Sequence, residues 1–193
     1  MKLSIIVPIY NEIDRLERFT INLTNAFKND DVEYIFVNDG SNDGSAEWLY
    51  NYVNKYSQTN NYNSLLINLS KNCGKGAALQ KGLQIAKGDY ILFQDSDLEL
   101  DAKDSREMYE LIKMNPEMEV IFGSRFLSGK IRSNKNFING IFVRINSMIF
   151  NVLFHQSITD LHCGTKIISK SVLDPIKLTI NDFGIEIDIA SQI

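Results

Sequence analysis

Staples, soft metal ligands and membrane spans are all scarce in this chain. Its 193 residues hold two cysteines, Cys73 and Cys163, far apart and with no C-x-x-C spacing. That excludes a disulfide framework and a thiolate zinc site, and it points to a reducing, cytoplasmic compartment. The two histidines, His155 and His162, show no metal-ligand spacing and read as surface or core residues rather than catalysts. Basic charge is not in excess: the net charge of −4 argues against general binding of nucleic acid. No apolar run is long enough to span a bilayer. The nearest, Phe137 to Phe154, is interrupted by Asn139, Arg144, Asn146 and Asn151. The start, Met1-Lys2-Leu3-Ser4, runs straight into a strand pattern and does not read as a signal peptide.

What is present is a regular alternation of elements, with 44% apolar residues to build one core. Leu3 to Ile9 is a short, almost wholly apolar strand. Ile13, Leu16, Phe19, Leu23 and Phe27 give helix spacing over 13–28. A strand at Val32 to Val37 follows, then a helix capped by Asn42 or Asp43 and running to about Tyr56. Ser64 to Leu69 is the third strand, Gly76 to Ala86 a helix that Gly88 ends, and Tyr90 to Gln94 the fourth strand. Continuously apolar strands separated by helices predict an α/β fold, a doubly wound, mainly parallel sheet with helices on both faces. After Asp101 come a helix over 103–114, a strand at Val120 to Phe122, and a polar loop, Leu127 to Asn136, that is a candidate lid. A helix over 137–154 carries one greasy face, which suits packing on the core or lying in a membrane interface. The chain ends inside a helical pattern at Ser191-Gln192-Ile193, so a further C-terminal portion is expected.

The chemistry concentrates where the fourth strand stops. Asp95-Ser96-Asp97 places two carboxylates with one small residue between them, and Glu99 follows at the same spacing. In extended chain the three share one face and repel one another, so they call for a cation. Hard oxygen ligands suit Mg²⁺ or Mn²⁺, which keep open positions for substrate phosphates. In a doubly wound sheet, ligands bind beyond the carboxyl ends of the strands. That rule gathers four polar stretches on one rim: Pro8 to Glu12, Asn38 to Ser41, Ser70 to Gly76, and Asp95 to Asp97. The first strand leads into Tyr10-Asn11-Glu12 with no glycine, which argues against a nicotinamide dinucleotide site. Gly74 and Gly76 suit a tight turn and helix packing rather than a phosphate cradle.

The stretches I-V-P-I-Y-N-E, N-D-G-S-N-D-G, N-C-G-K-G-A-A-L, G-D-Y-I-L-F-Q-D-S-D-L-E and G-S-R-F-L, in that order, resemble the family 2 glycosyltransferases of the GT-A fold. Within them the chain looks most like the polyprenyl-phosphate sugar synthases, such as the dolichyl-phosphate mannose and glucose synthases. Asp160-Leu161-His162-Cys163-Gly164-Thr165-Lys166 is similar to the D-x-x-C-G-x-K element of the glucosyl type. The resemblance implies one GT-A catalytic domain over 1–193, its nucleotide-sugar half at 1–100 and its acceptor half at 101–193. It implies that Asp95 and Asp97 hold Mg²⁺ or Mn²⁺, with Glu99 at the place of a third ligand. Tyr10 would flank the base and Asp39 accept from a base N–H, with Pro8, Glu12 and Val37 lining the nucleoside pocket. Ser96 would lie against ribose or phosphates, and Arg125 would reach the sugar or a phosphate, as Lys75 would less directly. The chain departs from the family in carrying Asn38 where an acid usually precedes Asp39.

The donor implied is a nucleotide-diphosphate sugar, and the acceptor a polyprenyl phosphate or a growing glycan. A sugar hydroxyl needs a general base, and Glu186, Asp188 and Asp160 are the acids available. A lipid phosphate needs instead a cationic pocket and a greasy platform. Arg125, Lys130, Arg132, Arg144 and Lys166 could supply the first, and Phe137, Phe142, Phe150 and Phe154 the second. The expected place of work is the cytoplasmic face of a membrane, as a peripheral protein. A nucleotide-binding module without transfer activity is the alternative of another class.

Overall fold

The computed structural model describes residues 1–59, 63–97, 101–127 and 137–193, with backbone only for 56–59 and 137–139. Its centre is a six-stranded sheet in the order β3-β2-β1-β4-β6-β5. β1 (Leu3–Ile9), β2 (Val32–Asn38), β3 (Asn63–Asn68) and β4 (Tyr90–Phe93) run parallel. β6 (Lys166–Ser169) enters antiparallel beside β4, and β5 (Val120–Phe122) pairs with its outer edge. The sheet is mainly parallel, as the apolar strand runs predict.

The pleat divides the core in two. Leu3, Ile5, Val7 and Ile9 of β1 point to the side covered by α1 (Ile13–Ala26), α2 (Ser45–Thr59) and α4 (Ala102–Met114). Ile6 of β1 and Ile35 and Val37 of β2 face α3 (Lys75–Ile85), α6 (Lys170–Leu173) and α7 (Ile185–Gln192). Strands buried on both faces cannot alternate polar with apolar, which is why they read as continuous apolar runs.

One local expectation is corrected, and one left open is narrowed. Gly88 does not end α3, which stops at Ile85 with Ala86 as its cap. Gly88 is instead pressed on β1: its N–H donates to Ser4 Oγ at 2.7 Å, and a Cβ there would lie 2.5 Å from Ser4 N. The greasy helix, α5 (Phe137–Phe154), does not bury its apolar face in the core. Phe150 packs with Leu161 and Ala190, but Phe142, Met148, Val152 and Leu153 are 61–70% exposed. The strip of α5 that touches the domain is narrow, and the wider apolar strip faces outward. Among the described residues, no helix is long and apolar enough to cross a membrane.

Candidate active site

β1, β2 and β4 end on the same rim because their register is parallel: Ile9 lies beside Asn38, and Ile6 beside Phe93. The loops leaving these strands therefore meet. Ser96 Oγ donates to the carbonyl of Pro8 at 3.3 Å, joining the β4 loop to the β1 loop. Asn11, at φ 55°, accepts from Asn42 N at 2.9 Å and donates its own N–H to Ser41 Oγ at 3.0 Å. Tyr10 stands half-exposed beside this clasp. Burial pushes the Glu12 carboxyl up; Arg15, at 3.2 Å, opposes this, and the charges of Asp97 and Asp43 add to it, leaving it above the usual range. Val37 lies in the core beneath the rim, and Asp39 is buried at its edge. Both Asp39 oxygens accept backbone N–H groups, from Cys73 at 2.7 Å and Gly74 at 2.9 Å. The second acid of the N-D-G-S stretch thus fixes the loop that opens α3.

That loop carries Lys75 into the site. Gly74 has φ 96°, and a Cβ on it would lie 2.3 Å from the Asn181 carbonyl oxygen; one on Gly76 would lie 2.2 Å from that of Ile180. Both glycines let the segment before α7 lie flush on α3, which is the turn-and-packing role expected of them. The contact brings Glu186, in the first turn of α7, against Lys75.

A cavity of about 190 Å³ opens here, lined by Lys75, Asp95, Asp97, Arg125, His162 and Glu186 among others. Lys75 Nζ lies 2.6 Å from Asp95 Oδ1 and 2.6 Å from Glu186 Oε1. Lys166, wholly buried on β6, pairs with Glu186 Oε2 and donates to the carbonyl of Cys163. Burial pulls the Lys75 ammonium down, but Asp95 and Glu186 more than offset it, so it stays charged above the ordinary lysine range. Burial likewise pushes Glu186 up, and Lys166 and Lys75 bring it below the ordinary carboxylate value. Gly164 closes on the other side of Asp95: a Cβ on it would sit 1.8 Å from Asp95 Oδ2. Across the cavity Asp160, fully buried, takes Arg125 Nε at 2.8 Å and its backbone N–H at 3.0 Å, which aims the guanidinium.

The structure brings together Asp95, Asp97, Arg125 and Glu186 as lining of one cavity. It does not bring Asp188 there. Asp188 Oδ2 accepts from Thr179 N and Ile180 N, and its Oδ1 from Gln192, so it clamps the loop before α7. Glu186 is poorly suited to the work of a general base, since a carboxylate held below its usual range between two ammoniums takes up a proton weakly. Lys166, expected in an acceptor pocket, is enclosed by Glu186 instead. Glu99, Lys130, Arg132 and most of the candidate lid lie outside the described residues, as does the side chain of Phe137.

His162, which carries no catalytic signature in the sequence, lines the cavity. Burial lowers its pKa, so the ring is neutral near pH 7. Cys163 is buried, as expected, and its thiol is pushed up by that burial to about 11. Lys75 was a minor candidate and stands at the centre. Its place directly after Gly74, at the opening of a helix on the rim, was the signal available.

Asp95 and Asp97 fit a hard divalent cation in donor type, as two carboxylates on one short loop with room beside them for phosphate oxygens. Among the described residues no group of three His, Cys, Asp or Glu side chains converges.

Beside the cavity, Arg125's neighbour Phe126 carries the guanidinium of Arg144 at 4.7 Å from its ring centre. Phe126, Arg144, Met148, Val152 and Ile158 border an open groove of about 700 Å³ along α5.

Residues 4–176 match the family described as "Glycosyl transferase family 2". The chain is 27% identical over 191 residues to the "Dolichyl-phosphate beta-glucosyltransferase" of Dictyostelium discoideum, covering 93% of this chain and 57% of that protein. It is 36% identical over 117 residues, 60% of this chain and 18% of the relative, to the "Poly(ribitol-phosphate) beta-glucosyltransferase" of Bacillus spizizenii. The chain thus spans little more than half of the first relative and a fifth of the second or less. Among solved structures, glucosyl-3-phosphoglycerate synthase from Mycobacterium tuberculosis, in complex with Mn²⁺, uridine diphosphate and phosphoglyceric acid, superposes with a TM-score of 0.73. At 16% identity over 98% of this chain and 62% of that one, the likeness is one of fold, the GT-A arrangement.

Proposed function

The chain belongs to glycosyl transferase family 2, and on that premise we propose that it moves a hexosyl group from a nucleotide-diphosphate sugar to a polyprenyl phosphate, with the help of Mg²⁺ or Mn²⁺. The observation that carries this reading is the one cavity in which Asp95, Asp97, Lys75 and Arg125 meet at the strand ends. A leaving nucleoside diphosphate gains negative charge as the glycosidic bond breaks, and fixed cationic groups at that point lower the barrier. Asp95 and Asp97 would hold the cation, which supplies Lewis-acid neutralisation of the diphosphate. Arg125, aimed by Asp160, and Lys75 add protein charge to the same end. Ser96 and Pro8 tie the metal-side loop to the nucleoside-side loop, so binding of the base and of the phosphates orients one unit.

The locked Glu186 favours an acceptor that arrives already as an anion. A phosphate oxygen attacks the anomeric carbon without surrendering a proton, whereas a sugar hydroxyl needs a base. The groove along α5 suits such an acceptor: apolar walls for an isoprenoid tail, and Arg144 for its phosphate. The outward face of α5 would then rest on a membrane surface, with Phe142, Met148, Val152 and Leu153 in the apolar layer. The Dictyostelium relative's name agrees with the lipid acceptor. The Bacillus relative's name favours a second reading, transfer to a glycan or polyol polymer.

The test is transfer from radiolabelled nucleotide sugars, with Mn²⁺, into the organic phase in the presence of polyprenyl phosphate. Label that extracts into solvent and is released by mild acid supports the lipid acceptor. Label found only in a water-soluble polymer overturns it.

A further inference from the structure

Asp95 is covered on both sides before any ligand arrives. Lys75 Nζ holds Oδ1 at 2.6 Å, and the backbone of Gly164 presses on Oδ2 so closely that a Cβ would lie 1.8 Å away. Lys75 in turn is shared with Glu186, and Glu186 with Lys166. Asp95 and Glu186 carry two negative charges and Lys75 and Lys166 two positive ones, so this chain of four is neutral as it stands. A divalent cation approaching Asp95 meets an ammonium already seated there. The backbone of Gly164 cannot leave without moving the whole loop before β6. Lys75, on a flexible four-carbon stem and 12% exposed, can leave.

We propose that Lys75 is a place-holding cation: it occupies Asp95 in the ligand-free protein, moves to the diphosphate when the donor binds, and so makes divalent-cation binding conditional on the donor. The inference rests on the donor site proposed above and assigns the order in which that site fills. A diphosphate offers Lys75 oxygens that replace Asp95, while Glu186 continues to hold the lysine from the other side. Asp95 is thereby released to the cation. Donor and cation each remove an obstacle to the other, and such coupling is reciprocal in binding free energy. A cation seated without donor would leave Lys75 facing a like charge in a small cavity, so that state is disfavoured.

Binding of Mn²⁺ to the whole chain, followed by electron paramagnetic resonance with and without UDP or GDP, tests this. In the unaltered protein Mn²⁺ alone should bind weakly, and the nucleotide should tighten it. In Lys75→Met, Mn²⁺ alone should bind tighter by about tenfold or more, the order of effect expected from removing one charge beside a divalent ion. Binding of the nucleotide with Mn²⁺ should weaken in the same variant, and Lys75→Arg should retain weak binding of Mn²⁺ alone. A merely structural lysine would not produce this crossed effect. Unchanged or weaker Mn²⁺ binding in Lys75→Met overturns the inference, as does an absence of coupling in the unaltered protein, which needs no variant. If neither UDP nor GDP binds with Mn²⁺, the donor site and this inference fall together. If nucleotide binds but the Met variant leaves cation affinity unmoved, the inference alone falls.

Discussion

Glu33 and Glu186 are carboxylates buried near opposite ends of the sheet, and the protein keeps both charged by different means. Glu33 is the second residue of β2, on the far side from the cavity. It accepts from Ser4 Oγ and Lys87 N, each at 2.5 Å, and Lys2 stands 3.3 Å away. Burial pushes its carboxyl up; the Ser4 and Lys87 donors, and then Lys2, outweigh burial and leave it below its ordinary range. Glu186 reaches the same state against the ammoniums of Lys166 and Lys75. The two shortest donors at Glu33 are a strand hydroxyl and a backbone amide, which cannot change partner unless the fold opens; the side chains of Lys2 and Asn63 add longer contacts from its rim. The donors at Glu186 end flexible side chains, one of them on the cavity wall. One end of the sheet uses buried charge to fix the fold, and the other, on the function proposed above, would present it to a ligand.

The sharpest way to break that division is to cut into the ligand end and look for lost stability. Asp97→Ala should lower transfer by about 10³-fold, of the order seen when a transition-state charge stabiliser is removed, while the thermal midpoint stays close to that of the unaltered protein. Parallel melting and radiolabel assays read both, and a melt that collapses with activity would erase the distinction. Gly164→Ala should push the Asp95 carboxylate aside and weaken Mn²⁺-dependent nucleotide binding by about 10- to 100-fold, the scale for supporting residues at metal sites, as calorimetry would show. At the far end the signs reverse. Glu33→Ala leaves the Ser4 hydroxyl and the Lys87 N–H without their acceptor and should cost about 2–4 kcal/mol in chemical denaturation, with nucleotide affinity unchanged.

Acid sharpens the comparison further. Both carboxylates are lowered below the ordinary value of 4.5. Their contribution to stability is therefore complete above that value and is lost as pH falls through the lower native values. Thermal melts taken downward from neutral pH should show a steep acid limb. Glu33→Gln should flatten it, because the amide cannot titrate. The smallest effect is expected at α5: Val152→Asp with Leu153→Asp should alter stability by under about 0.5 kcal/mol yet reduce sedimentation with anionic vesicles. Unchanged vesicle binding would remove the membrane-surface role proposed for this helix.

Asp39 shows how structure adds to a site read from sequence. The resemblance carried by the N-D-G-S stretch implies a contact to the base. With both oxygens on Cys73 and Gly74 amides, Asp39→Ala should loosen the α3 loop as well as weaken the donor. The rim itself was legible because parallel strands announce where they stop, and the loops beyond them were polar. The use of Lys166 was not legible. A lysine among Thr165, Ile167 and Ile168 carries no local mark of its partner, which lies on α7. Nor did the helical spacing of α5 say which way its apolar face would turn, since periodicity shows that a face exists and not what covers it.

The order of strands and helices as far as α5, the parallel part of the sheet, and the placing of Asp95 and Asp97 on one rim with the β1 and β2 loops followed from the sequence alone. These depend on short-range periodicity and on the few crossovers a twisted sheet allows. Tertiary structure alone decided that β6 enters antiparallel beside β4, with Lys166 opposite Phe93, two residues before Asp95. That insertion, with α7 seated on Gly74 and Gly76, assembles the Asp95–Lys75–Glu186–Lys166 chain. Ion pairs between segments distant in sequence depend on where packing places backbones, and local residue pattern carries no record of that distance.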